Sequence, residues 1–191
     1  IDNACAWVED GWFNTGDIGY MDAEGFLYLS GRAKDLIIRS GHNIDPELIE
    51  EALNAHSNVV ISIAIGLPDP YAGELPMAYV VKVAHSNVTE QELINHCASV
   101  MSERAAIPKR IEFIDAMPLT AVGKIFRPTL RQNIAEQVIC ELLAEKSMDG
   151  TVTSEIEKKR GLVLRIDVTD KAKVGEVKKL VEGYIFTSEV I

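Results

Sequence analysis

Gly31-Arg32-Ala33-Lys34-Asp35-Leu36-Ile37-Ile38-Arg39-Ser40-Gly41-His42-Asn43-Ile44-Asp45-Pro46-Glu47-Leu48-Ile49-Glu50 is the stretch that organises the reading of the whole chain. A charged entry, Arg32 to Asp35, runs into the short apolar strand Leu36-Ile37-Ile38. Gly41 then makes a tight turn and leaves room for a ligand or another backbone to come close. Asp45 is a natural N-cap, and Pro46 suits the first position of a helix. Leu48, Ile49, Ala52 and Leu53 form the expected apolar stripe of that helix. As a bare pattern, the segment also fits a strand, turn and helix with a solvated, charged entry.

Working outward, residues 12–31 read as a β-hairpin: Asp17 to Met21 and Phe26 to Ser30 flank the turn Asp22-Ala23-Glu24-Gly25. Beyond the first helix come two strands, Val59 to Ile65 and Ala78 to Val83, both nearly continuous in apolar character. The segment between them, Gly66 to Pro76, carries three prolines and two glycines and is expected as a loop that continues neither strand. Thr89-Glu90-Gln91-Glu92 is a capping box opening a second helix, with Leu93, Cys97, Val100 and Met101 as its stripe. Arg110 to Asp115 reads as a strand and Pro118 to Pro128 as a loop centred on Gly123-Lys124. A third helix is expected from about Thr129 to Lys146, with Leu130, Ile134, Val138 and Leu142 on one side. Met148 to Ser154 reads as a polar linker, and a β-α-β unit follows: Leu162 to Val168, Lys171 to Glu182, Tyr184 to Val190. Leu162, Leu164 and Ile166 need cover, so this unit should pack on what precedes it. The order indicates an α+β fold.

Composition narrows the function. The chain has 191 residues, with Lys+Arg 19 against Asp+Glu 29 and a net charge of −10. That balance argues against a nucleic-acid binder, which needs clustered cations on phosphates. The compact basic run, Lys158-Lys159-Arg160, has Glu155 and Glu157 just before it. No stretch approaches the roughly 18 apolar residues of a transmembrane span, and no secretory signal pattern is visible. The cysteines Cys5, Cys97 and Cys140 are odd in number and widely spaced, which suggests neither a disulfide framework nor a zinc site and fits a reducing cytoplasm. Cys97 and Cys140 are expected as buried thiols on apolar helix faces. His42, His56, His85 and His96 form no HxxxH pattern, so no metal site is expected in this stretch. The chain opens on Ile1 and reads as a piece cut from something longer.

Three short segments carry chemistry. In Thr15-Gly16-Asp17 a carboxylate follows a glycine, where it can accept from vicinal hydroxyls such as those of a ribose. A turn Asp that bonds its own backbone reads the same way. The quoted Gly31–Glu50 stretch is the second. In Pro118-Leu119-Thr120-Ala121-Val122-Gly123-Lys124-Ile125-Phe126-Arg127, Lys124 sits at a loop tip. Loop lysines are mostly solvated, but a mobile point charge can also reach an anionic centre.

Taken in this order, over about residues 7 to 130, the three segments resemble the C-terminal part of the adenylate-forming enzymes, most closely the acyl-CoA synthetases. Sequences of that family carry an aromatic-x-Thr-Gly-Asp segment, a Gly-Arg-x-(Asp/Lys)-Asp…Gly-x-x-Ile-x-Pro-x-Glu-(Ile/Leu)-Glu segment and a Pro-x-Thr-x-x-Gly-Lys-Ile-x-Arg segment. The specificity lies in the set.

The resemblance implies a small mobile C-terminal lid domain with a central three-stranded sheet flanked by helices. It divides the chain into residues 1–33, a remnant of a large AMP-binding domain; 34–130, the lid; and 131–191, a helix plus a β-α-β extension. It implies that Asp17 binds the ribose of ATP or AMP, that Arg32 lies beside the same nucleotide and that Lys34 is the hinge. Gly41 would line the tunnel for the pantetheine thiol of CoA, and Lys124 would be the catalytic cation. The implied substrates are a small carboxylic acid, ATP and CoA, with Mg2+ in the full-length enzyme. The family's Ser/Thr/Gly-rich phosphate loop does not occur in these residues, so the chain is expected to depend on a large N-terminal domain and to be inactive alone. A lid that serves an adenylation domain loading a carrier protein, or a noncatalytic regulatory module of the same fold, fits the same segments.

Overall fold

The computed structural model describes residues 7, 8 and 11–191. Cys5 lies outside them. The first element is the expected hairpin: β1 (Asp17–Met21) pairs antiparallel with β2 (Leu27–Arg32). Its turn is held by Asp22, whose Oδ1 accepts from the backbone N–H groups of Glu24 and Phe26 at 3.0 and 2.9 Å.

The central sheet follows. β3 (Ile37–Arg39) and β4 (His42–Ile44) are joined by Ser40 and Gly41, at φ +49° and +82°. Two successive positive φ values give the right-handed twist that a two-residue hairpin needs. Asp45 caps α1 (Pro46–Asn54) as expected, its side chain accepting from Glu47 N–H. β5 (Val59–Asp69), β6 (Gly73–Lys82), α2 (Glu90–Val100) and β7 (Arg110–Phe113) complete the unit. The Thr89–Glu92 capping box is present in both directions.

The strand order is β4-β3-β6-β5, with β7 parallel on β6. The α+β expectation holds, but the sheet has five strands rather than three. β4 is too short to show a period in sequence. β7 joins through backbone pairing that sequence spacing does not reveal.

The expected loop Gly66–Pro76 is also corrected: β5 and β6 continue through it as one long hairpin, with Gly66 opposite Pro76 and Pro68 opposite Glu74. Proline is tolerated because Pro68 lies on an edge strand, and Pro76 stops one residue short of the pairing between Met77 and β7.

Both faces of this sheet are covered, which explains the unbroken apolar runs. Ile37, Ala64, Val80 and Ile111 face α1 and α2, meeting Ile49, Leu53, Leu93 and Cys97. Ile63, Ile65, Met77 and Tyr79 face the other way, against Leu130 and Ile134 of α3 (Arg127–Glu145). Leu48 and Val100 were expected in the helix stripes but are exposed. Leu48 stands roughly 100° around α1 from the face that meets the sheet, whereas Val100 lies two turns from buried Leu93 on the same side and is exposed as the last residue of α2.

The C-terminal region is β-β-α-β. β8 (Gly150–Glu157) pairs with β9 (Gly161–Val168) along its whole length, so the expected linker is a strand. α4 (Val174–Val181) crosses over to β10 (Thr187–Val190), which runs parallel to β9. This second sheet packs on α3 as expected: Leu164 and Ile166 are fully buried with Ala135, Ile139 and Leu143. The buried seam of α3 therefore runs Leu130, Ile134, Ala135, Ile139, Leu143, and Val138 and Leu142 are only partly covered. Cys140, one position past Ile139, is exposed rather than buried; Cys97 is buried.

Candidate active site

Asp17 and Arg32 stand opposite each other at the open end of the first hairpin. Arg32 Nε lies 3.0 Å from Asp17 Oδ1, and Arg32 Nη2 donates to the Thr15 carbonyl at 2.8 Å. The Thr-Gly-Asp segment is wound tightly enough to make this possible. Gly16 takes φ +75°, Asp17 N–H donates to Thr15 Oγ1, and Ala33 N–H donates to the Gly16 carbonyl at 2.9 Å. Both side chains of the pair keep substantial exposure, 49% and 36%, so Asp17 retains acceptor capacity toward a ligand.

Lys34 follows directly, exposed, in the 3-10 turn Ala33–Asp35 that links the hairpin to the central sheet. Gly41 sits at the tip of the β3–β4 turn with open space where a Cβ would point. The turn is anchored on both sides. Ser40 N–H donates to the Ala72 carbonyl at 2.7 Å, Arg39 Nη1 donates to the Ala105 carbonyl at 2.8 Å, and His42 Nε2 lies 2.8 Å from Glu103 Oε1.

Lys124 is exposed on a turn closed by Thr120. Thr120 N–H donates to the Lys124 carbonyl at 2.7 Å, Lys124 N–H donates to Thr120 Oγ1 at 3.0 Å, and Gly123 takes φ +78°. Thr and Gly in the Pro-x-Thr-x-x-Gly-Lys pattern thus build the loop that presents the lysine.

The last residues of the second and third segments meet. Arg127 grips Glu50 through two hydrogen bonds, Nη1–Oε1 at 2.7 Å and Nη2–Oε2 at 3.2 Å. Arg127 also donates to the Ala64 carbonyl, and Glu50 accepts from Ala64 N–H, both at 2.9 Å. The two side chains are 21% and 14% exposed. Reading residues singly gave this pair no role. Its signal was available: opposite charges closing two separate segments.

On the α1 side, burial raises the Glu47 carboxyl above its ordinary value, with the neighbouring Asp45, Glu50 and Glu51 charges adding to it.

A cleft of about 620 Å3 opens beside these elements, and Arg32, Lys34, Ile125, Phe126 and Arg127 border it. Asp17, Gly41 and Lys124 do not line it. Among the described residues, no group of three or more His, Cys, Asp or Glu side chains gathers as a metal site. The Mg2+ that the resemblance implies thus has no such side-chain cluster to sit in among the described residues. No helix among the described residues is long and apolar enough to cross a membrane.

Against known proteins, residues 48–124 match the family model of the AMP-binding enzyme C-terminal domain. The chain is 43% identical over 175 residues to the marinolic acid–CoA ligase of a Pseudoalteromonas species, an alignment covering 92% of this chain and 25% of that protein. An alignment of that extent includes part of the C-terminal sheet. ATP-bound MatB from Rhodopseudomonas palustris superimposes with a TM-score of 0.64 at 32% identity, over 68% of this chain and 25% of that one. The o-succinylbenzoate CoA synthetase MenE from Bacillus subtilis, bound to the acyl-adenylate OSB-AMP, gives 0.60 at 37% identity, over 66% and 25%. Fold and matches together show that the chain carries an AMP-binding enzyme C-terminal domain, similar to that of adenylate-forming enzymes. The chain spans about a quarter of the length of the curated relatives it matches, and those relatives are CoA ligases.

Proposed function

We propose that this chain is the C-terminal part of an AMP-forming acid–thiol ligase of the acyl-CoA synthetase type, acting in the cytoplasm with a large N-terminal domain. In the first half-reaction a carboxylate oxygen attacks the α-phosphorus of ATP, the bond to pyrophosphate breaks, and an acyl adenylate forms. In the second, the CoA sulfur attacks the acyl carbonyl and AMP leaves. Residues 1–33 belong with the large domain, 34–130 form the moving lid, and 131–191 extend it.

Within this reading Asp17 accepts from the ribose hydroxyls and Arg32 holds Asp17 in place beside the nucleotide. Lys34 is the pivot. Negative charge accumulates between acid, phosphate and leaving group, and Lys124 supplies the cation that stabilises it. Rotation about Lys34 then exchanges Lys124 for the Gly41 turn, whose bare backbone leaves space for a pantetheine arm.

The observation that supports this reading most is the 43% identity with a CoA ligase over 92% of the chain. The Lys124 loop and the Gly41 turn are also separate exposed tips, flanked by Ile125 and by Ile37 and Ile44 of the cores on the two faces of the central sheet, as two alternating faces require. Lys124→Ala in the full-length enzyme should lower acyl-adenylate formation by about 10²–10³-fold, measured as acid-dependent ATP–pyrophosphate exchange. Thioester formation from supplied acyl adenylate should change far less. Equal loss of both half-reactions would sink the assignment.

A further inference from the structure

The cleft beside Lys34 has a second wall that the matched domain does not provide: Arg160, Leu162, Ile185 and Phe186, from the C-terminal sheet and its loops. Its volume, about 620 Å3, is that of a small-molecule site.

The charges on its walls are unequally engaged. Arg32 is held by Asp17, Arg127 by Glu50, and Arg160 by Glu157 and Glu189. Lys34 has no ion pair among the described residues. Arg131 reaches Asp35 only weakly, 3.8 Å to Oδ1 and 3.3 Å to the backbone carbonyl. Its Nε is buried and has no hydrogen-bond partner among the described residues. That Nε is closed to the cleft, so a ligand meets the exposed part of the Arg131 side chain, 31% of it, which is only weakly engaged by Asp35. Of the wall's carboxylates, Glu74 is occupied, accepting from Ile38 N–H at 2.8 Å. Leu162, Ile185 and Phe186 make the other side apolar.

We propose that this cleft binds a small organic anion, its oxyanion head on Arg131 and Lys34 and its apolar body against Leu162, Ile185 and Phe186. A guanidinium fork with a neighbouring ammonium suits a carboxylate or a phosphate head equally. The inference rests on the cleft and not on the ligase reading.

The test is an amide chemical-shift titration of the 191-residue chain with octanoate, octyl phosphate, octanol and inorganic phosphate. At least one of the two amphiphiles should give saturable shifts at Asp35, Arg131, Leu162 and Phe186, with Kd below about 1 mM. The tighter of the two identifies the head group. Octanol and inorganic phosphate should bind about tenfold more weakly or worse, because each lacks one half of the ligand. Arg131→Met should weaken the amphiphile about tenfold. Lys34→Gln, at an exposed position outside both cores, should also weaken it and keeps the test usable if Arg131→Met disturbs the fold. The proposal is overturned if neither amphiphile saturates, if octanol binds as tightly, if the shifts centre on β1 and β2, or if Lys34→Gln binds like the parent chain.

Discussion

Glu50 and Arg127 show how much one residue pair carries. Arg127 enters α3 at the end of the Gly-Lys loop, and Glu50 lies on α1, 77 residues away in the chain. Their two hydrogen bonds, with the flanking bonds to Ala64, tie the loop that presents Lys124 to the central sheet. Both side chains are mostly buried, so removing one leaves a charge poorly compensated. Arg127→Met should cost about 2–3 kcal/mol in chemical denaturation. The double change Glu50→Gln with Arg127→Met should recover part of that loss, because no unpaired charge remains. A double variant less stable than the single would contradict this account. Gly41 is a simpler case. Its φ of +82° demands glycine for the turn itself, and no neighbour crowds it, so its freedom from a side chain is available to a ligand.

At the scale of elements, the C-terminal sheet wears a charge network on its outer face. Arg160, in the turn after β8, binds Glu157 and Glu189; Arg165 on β9 binds Glu155 and Glu189. The Arg160 hydrogen bond is the main reason that the Glu157 and Glu189 carboxyls both lie below the ordinary value of 4.5. A carboxyl lowered in the folded state contributes stability that is present above its unfolded pKa and is lost as pH falls through the folded one. The stability gap between the parent chain and Arg160→Met should therefore be open at neutral pH and should close as pH falls below about 4.5, by denaturant midpoint at each pH. A gap that persists unchanged into acid would show that Arg160 acts through packing of its stem. In the same network the arginine of the Lys158-Lys159-Arg160 run is committed to carboxylates.

Across the whole molecule, α3 is the shared element. Its first turns, through Leu130 and Ile134, complete the core of the central sheet. Its later turns, through Ala135, Ile139 and Leu143, complete the core under the C-terminal sheet. The two cores are thus joined by one continuous helix. Ile139→Ala should cost about 2–4 kcal/mol, the range for deleting a buried branched side chain. The chain should still melt in a single transition by circular dichroism and by calorimetry. Two separated transitions would mean that cooperativity ends within α3. The exposed residues Tyr20, Leu27, Tyr28 and Leu29 on the first hairpin belong to this scale as well. A two-stranded ribbon with apolar side chains in solvent is marginal alone.

Much of this was legible from residues alone. Caps at Asp45 and Thr89, the turn at Asp22–Gly25 and the paired apolar runs of β5 and β6 are local patterns, and local patterns survive without tertiary context. The three ordered segments named the family before any contact was known, and matching region and fold agree with it. Other features waited for the fold, for specific reasons. β8 is rich in Thr, Ser and Glu and becomes a strand only because β9 pairs with it residue by residue. Pro68 and Pro76 read as breakers until strand order puts one at an edge and the other just short of a second partner. Cys140 and Leu48 changed sides because a helix face is defined by what it packs on, and a one-residue shift turns it by roughly 100°; Val100 is exposed as the last residue of α2. The sequence by itself determined the first hairpin, the caps at Asp45 and Thr89 and the paired apolar runs, because hydrogen bonding and side-chain period act over a few residues. Only the tertiary structure decided the Glu50–Arg127 clasp, the sharing of α3 and the cleft that holds Lys34 and Arg131. Each of these is a meeting of groups far apart in the chain, set by packing and by the need to pair buried charge.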